Sequence, residues 1–182
     1  MLRRVHRLGT RVYERVLERE LSEGPTHVAV IQDGNRRYAR NRGGNASDGY
    51  QAGAKTTEAM LEWCADLGVE ELTIYAFSTE NFDRPEEERE ELFDLMVTKL
   101  RKFADREEVH EREVGVRAIG EIDRLPERVR EAIDYAEERT RGYDRFTLNL
   151  AVAYGGRAEL LSAARDVARA VDVGDLAPEE VD

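Results

Sequence analysis

Four short, nearly continuous apolar runs, at 27–33, 71–77, 114–120 and 146–153, are separated by stretches whose apolar residues recur at helical spacing. Between the first two runs, Ala59, Met60, Trp63, Cys64 and Leu67 repeat at three and four within 52–67. Leu92, Leu95, Met96, Leu100 and Phe103 do so within 86–105, and Val129, Ile133 and Ala136 follow Pro126, a good first helical residue. A last helix is expected from about Gly156, with Leu160, Leu161, Ala164, Val167 and Ala168 on one side. Strands without polar alternation are buried on both faces, and strands that alternate with helices pair in parallel. The expected fold class is therefore α/β, with a mainly parallel central sheet flanked by helices and ligands at the carboxyl ends of its strands. The division expected is an amphipathic helix over 1–22, with Val5, Leu8, Val12, Val16 and Leu17 among many arginines, then a single domain over 23–182.

Several function classes drop out on composition. Cys64 is the only cysteine, which excludes an internal disulfide and a cysteine-built metal site, and His6, His27 and His110 show no ligand spacing. The acidic surplus, 39 Asp and Glu against 28 Lys and Arg, leaves a net charge of -11 and no basic stripe for nucleic-acid phosphates. Only Lys55, Lys99 and Lys102 are lysines; an acidic, lysine-poor surface is what salt adaptation predicts, with an unfolding midpoint that rises from dilute buffer to molar KCl. No P-loop and no dinucleotide glycine fingerprint follows a strand, and Ser78 lies in no nucleophile elbow. No apolar run approaches the roughly 20 residues that span a bilayer, and residues 1–20 are charged throughout, so the expected location is cytoplasmic.

Three strand ends carry polar clusters. The first is Asp33-Gly34-Asn35-Arg36-Arg37-Tyr38. Its carboxylate is a hard ligand for Mg²⁺, its glycine admits phosphate to the backbone, and its guanidinium groups bind phosphate in bidentate fashion. Asp-Gly-Asn is also an ordinary turn. The second is Ser78-Thr79-Glu80-Asn81-Phe82-Asp83-Arg84-Pro85, where Ser78 or Thr79 can cap the helix that Pro85 starts while Asn81 and Arg84 face a ligand. The third, Tyr154-Gly155-Gly156-Arg157, opens a helix and serves either an anion or close packing between strand and helix.

Taken together, the segments 27–38, 72–85 and 148–157 resemble the successive motifs of the cis-prenyltransferases, the family of undecaprenyl diphosphate synthase. Three long motifs in order make the resemblance specific, and it runs from about residue 26 onward. It implies an enzyme that condenses isopentenyl diphosphate with an allylic diphosphate primer to make a cis-polyprenyl diphosphate, with Mg²⁺ as cofactor. Asp33 matches the family's aspartate that binds Mg²⁺ and assists departure of the allylic diphosphate. Gly34, Asn35, Arg36, Arg37 and Tyr38 match the cradle for that diphosphate. Ser78, Thr79, Glu80, Phe82 and Arg84 match substrate-contacting positions, and Asn81 the residue of the proton-removal step. An apolar tunnel between helices and sheet is implied as well, with Met60, Trp63, Leu92, Leu95, Met96 and Phe103 to line it or simply to fill a core.

Departures accompany the matches. Ala46 stands where the family commonly has a diphosphate-binding Arg, with Arg40 and Arg42 as substitutes in charge, and Tyr50 stands at the usual His, able to donate a hydrogen bond but not to carry charge. Gln32 replaces an apolar residue before the aspartate. No segment matches the family's late motif, an Arg-rich stretch with a metal-binding Glu that serves isopentenyl diphosphate and the dimer. The expectation is thus a fragment, homodimeric in full-length form and inactive as it stands; a non-catalytic subunit of a heteromeric enzyme is the alternative. Peripheral membrane contact through the opening helix is weighed against packing of that helix on its own domain.

Overall fold

A computed structural model describes residues 24–181; the helix expected over 1–22 lies outside the described residues. Four strands form one sheet: β1 (His27–Ile31), β2 (Glu71–Ser78), β3 (Val114–Ile119) and β4 (Phe146–Tyr154). All neighbouring pairs are parallel, in the order β1-β2-β4-β3. The carboxyl ends of β1, β2 and β4 therefore lie side by side, and the three polar clusters share one edge.

The helices are α1 (Asn35–Asn41), α2 (Ala46–Asp66), α3 (Glu86–Ala104), α4 (Glu107–Glu111), α5 (Glu127–Arg139) and α6 (Gly156–Asp172). α2 begins six residues before the apolar periodicity does because Asn45 and Asp48 build a reciprocal cap, each side chain accepting from the other's backbone N–H at 2.9 Å. α3 follows Pro85 with Glu86, Glu87 and Glu88 in its first turn and Arg101 and Lys102 in its last, a charge order that suits the helix dipole.

Leu72, Ile74, Val114, Val116, Leu148 and Val152 from the strands are buried with α2, α3 and α5 residues in two clusters. At the centre Phe77 and Phe93 are almost fully buried with ring centroids 5.3 Å apart, each burial worth about 2–3 kcal/mol. The alternate residues of β1, β2 and β4 form a polar ladder instead: Asn149 donates to Glu71 and, at 3.2 Å, to Thr73, which pairs with His27 at 2.8 Å. The apolar stripe expected on α6 is present, but no residue of that helix is buried, and Leu160 and Leu161 are exposed. No helix among the described residues is long and apolar enough to cross a membrane.

Candidate active site

A cleft of about 1070 Å³ opens at the shared strand edge and runs between α2 and α3 over the sheet. Its mouth is lined by Asp33, Gly34, Asn35, Arg36 and Arg37 from the first cluster with Arg40 just beyond it, and by Ser78, Thr79, Glu80, Asn81 and Arg84 from the second. Gly155 and Gly156 complete it from the end of β4. Further in, the walls become apolar: Leu92, Leu95, Met96 and Phe103 of α3, Leu61 of α2, and Ile74, Leu148 and Leu150 of the sheet.

Asp33 lies two residues beyond β1, in a loop and not in the strand expected to run to it. Its carboxylate is 85% exposed, accepts the Gly34 N–H at 2.6 Å and stands 3.7 Å from the Arg37 guanidinium. The loop then winds directly into α1, an element the sequence reading left as a motif. In helical rotation Arg36, Arg37 and Arg40 fall on the cleft side, which carries Tyr38 away from it. Tyr38 is half-exposed with Arg42 stacked 4.4 Å above its ring, so neither residue joins the cleft. Of the two charges suggested as substitutes for the family's Arg, Arg40 alone is in place, while Ala46 merely begins α2.

The second cluster forms a 3-10 turn over Thr79–Asp83. The Asn81 carboxamide oxygen accepts the Ser78 N–H at 3.2 Å and so caps this turn while lining the cleft, whereas the helix expected to be capped by Ser78 or Thr79 begins after Pro85 without a side-chain cap. Phe82 departs from expectation: its ring packs edge-on against Phe77 at 5.0 Å, under Arg124, and belongs to the core. Gly155 serves close packing, since a side chain there would collide with Thr79. Among the expected tunnel residues, Leu92, Leu95, Met96 and Phe103 do line the cleft; Met60 packs beneath the sheet cluster and Trp63 is 59% exposed.

Tyr50 shows what the usual His is replaced by. Arg84 donates to its hydroxyl at 2.8 Å, and the hydroxyl donates to Glu88 at 3.3 Å. The same Glu88 oxygen accepts Arg36 at 3.1 Å. Burial, opposed by Arg84 and reinforced by Glu88, pushes the Tyr50 hydroxyl up, so it stays a neutral donor. Glu88 was not a candidate in the sequence, where it is one of three successive acids in a first helical turn. At the far end of the cleft Glu58 accepts from Lys99 at 3.0 Å and from Arg106 at 3.1 Å.

The donor set bears on the implied metal. Among the described residues no group of three His, Cys, Asp or Glu closes on one point, so no cage built from protein alone is present. The exposed Asp33 carboxylate suits Mg²⁺ all the same, because that ion is usually held by one or two carboxylates together with substrate phosphates and water.

Comparison with known proteins agrees with this layout. A protein family described as "Putative undecaprenyl diphosphate synthase" matches residues 31–181. Two archaeal relatives named tritrans,polycis-undecaprenyl-diphosphate synthase (geranylgeranyl-diphosphate specific) are similar in sequence. That of Halobacterium salinarum is 66% identical over 171 residues, which is 94% of this chain and 57% of the relative. That of Haloarcula marismortui is 61% identical over 181 residues, covering 100% of this chain and 60% of the relative. The chain thus spans somewhat under two thirds of the length of these curated relatives. Among solved structures, lavandulyl diphosphate synthase from Lavandula x intermedia, in complex with dimethylallyl diphosphate, superposes with a TM-score of 0.79 at 37% identity over 86% of this chain and 66% of that one. On sequence and on fold alike, the chain belongs to the undecaprenyl diphosphate synthase family.

Proposed function

We propose that this chain forms the primer-diphosphate side of a cis-prenyltransferase that condenses isopentenyl diphosphate with an allylic diphosphate. The observation that carries the reading is one cleft whose mouth gathers Asp33 with Arg36, Arg37, Arg40 and Arg84 and whose interior is apolar. The mouth suits a diphosphate and the interior a hydrocarbon chain, in the tunnel the family resemblance implies. The relatives' names point to geranylgeranyl diphosphate as the primer.

In this reading Arg36, Arg37, Arg40 and Arg84 bind the primer diphosphate and stabilise the charge that grows on it as the allylic C–O bond breaks. Asp33, with phosphate oxygens, would hold Mg²⁺, which when bound neutralises part of that charge. Tyr50 accepts from Arg84 and donates to Glu88, and so holds Arg84 in place beside that group. The apolar walls exclude water from the allylic carbocation, so that the double bond of isopentenyl diphosphate captures it. A proton must then leave the new chain. The Asn81 carboxamide is no base near neutral pH, so its part is to orient the step, with a basic oxygen of the bound diphosphate taking the proton. Retention of Asp33 and Asn81 favours descent from an active chain over a non-catalytic partner subunit, which needs neither. Homodimer formation in the full-length protein and work in the cytoplasm belong to the same proposal.

The test is incorporation of labelled isopentenyl diphosphate into geranylgeranyl diphosphate by the 182-residue chain, with Mg²⁺ and molar KCl. Binding of the primer without elongation is expected, because no segment here resembles the family's isopentenyl-diphosphate motif. A folded chain that binds no allylic diphosphate overturns the assignment of the cleft; steady elongation overturns the account of the missing half.

A further inference from the structure

We infer that Gln32 is the positioning residue for Asp33, clamping the loop that carries it to α2; the inference rests on the reading of Asp33 as the magnesium-diphosphate carboxylate. Among the described residues β1 is an edge strand that ends at Ile31, whose side chain is exposed, and none of them packs the loop into a core on that side. The Asp33 carboxylate is fixed only locally, by Gly34 and Arg37, both of which move with the loop.

What ties the loop to the body of the fold is a stripe along α2. Gly49, Gly53 and Thr57 recur every fourth residue and so lie on one face. Side chains at Gly49 and Gly53 would collide with the backbone and carboxamide of Asn35, so both glycines let the loop lie against the helix. The Gln32 amide nitrogen then donates one proton to Thr57 Oγ1 at 2.6 Å and the other to the Gly53 carbonyl at 3.3 Å. Arg36 adds a tie to Glu88 beyond Asp33, so the carboxylate is anchored from both sides.

The clamp does not act mainly on the stability of α2. Thr57 also donates to the Gly53 carbonyl at 3.3 Å, a bond internal to the helix that survives loss of Gln32. A methionine of similar length fills the same space without the donors. Removal of Gln32 therefore loosens Asp33 and leaves the helix satisfied. This gives a physical role to the polar residue that stands where the family has an apolar one.

The experiment uses the 182-residue chain. Amide hydrogen exchange over 33–38 should quicken about tenfold in Gln32→Met and in Thr57→Val, with exchange elsewhere and the thermal midpoint unchanged and Thr57→Ser behaving as wild type. Calorimetric titration with inorganic pyrophosphate should show its magnesium-dependent affinity falling about fivefold to tenfold in the same two variants. Unchanged exchange at 33–38, or acceleration spread over the whole chain, overturns the clamp. Faster local exchange with pyrophosphate affinity intact reduces Gln32 to a structural contact and overturns its role toward Asp33. A wild-type chain that binds no magnesium pyrophosphate overturns the reading of Asp33 instead, while the exchange arm still decides whether Gln32 orders the loop.

Discussion

The two ends of the cleft use the same residue types in opposite ways. At the mouth, Asp33 and Arg37 are largely exposed and stand 3.7 Å apart, a loose pair open to a ligand. At the far end, Glu58, Lys99 and Arg106 are each about a third exposed, and the carboxylate holds both cations at close to 3 Å. At the mouth Arg36 and Arg84 donate to Glu88 and Tyr50, while Arg37 makes a loose pair with Asp33 that a phosphate can join; at the far end one carboxylate holds both cations closely. A charge near an apolar wall is costly unless paired, and the source of the partner separates a binding site from a structural joint.

The largest effect expected from breaking this contrast is at Asp33. In the full-length enzyme Asp33→Ala should lower magnesium-dependent elongation about a thousandfold, while the unfolding midpoint of the 182-residue chain stays put because the side chain touches little besides its own loop. Elongation that survives the change removes Asp33 from the mechanism. Next comes Arg36→Gln, expected to weaken primer-diphosphate binding about tenfold, and by less at high salt where every phosphate contact is screened. Equal weakening by the same change at Lys99 would erase the distinction between mouth and far end.

The strands were legible as apolar runs because residues such as Leu72 and Ile74, or Leu148 and Leu150, meet α2 and α3, but the burial of both faces that those runs implied fails at the polar ladder of His27, Thr73, Glu71 and Asn149. The order of the strands was not legible: periodicity carries no pairing information, and only the fold shows that β4, not β3, lies beside β2. α1 was missed because its seven residues bury Ala39 alone, too little for an apolar period to register. Motif membership placed Tyr38 and Phe82 with their neighbours, yet one helical rotation and one aromatic contact turn these two rings away. Glu58 and Glu88 left no signal at all. Their partners lie 30 or more residues away or on another helix, and a carboxylate on a charged helix reads as solvated surface.

Glu58 offers a smaller and pH-dependent test. Burial raises its carboxyl, but hydrogen bonds from Lys99 and Arg106 and their charges more than offset this, so the group sits below the ordinary carboxylate range. A carboxyl lowered in the folded state stabilises the fold above its unfolded-chain value, and the benefit is lost as pH falls through the folded value. Glu58→Gln should therefore cost about 1 kcal/mol at neutral pH and nothing in strong acid, with pyrophosphate binding at the mouth unaltered. Denaturant titrations at both pH values decide it. A difference that persists in acid would mean that the side chain matters through packing, not charge.

Trp63 should give the smallest effect, and it sharpens the boundary of the apolar interior. The family resemblance made it, with Leu92 and Met96, a candidate for tunnel wall or core, but it is 59% exposed and does not line the cleft. Trp63→Ala should move stability by no more than about 0.5 kcal/mol and leave primer affinity unchanged. Met96→Ala removes a side chain that both lines the cleft and packs against the core, so its cost should exceed that of Trp63→Ala. Primer affinity that falls in Trp63→Ala but not in Met96→Ala would mean that the prenyl chain lies along the outer side of α2, and that the cleft between α2 and α3 is not its path.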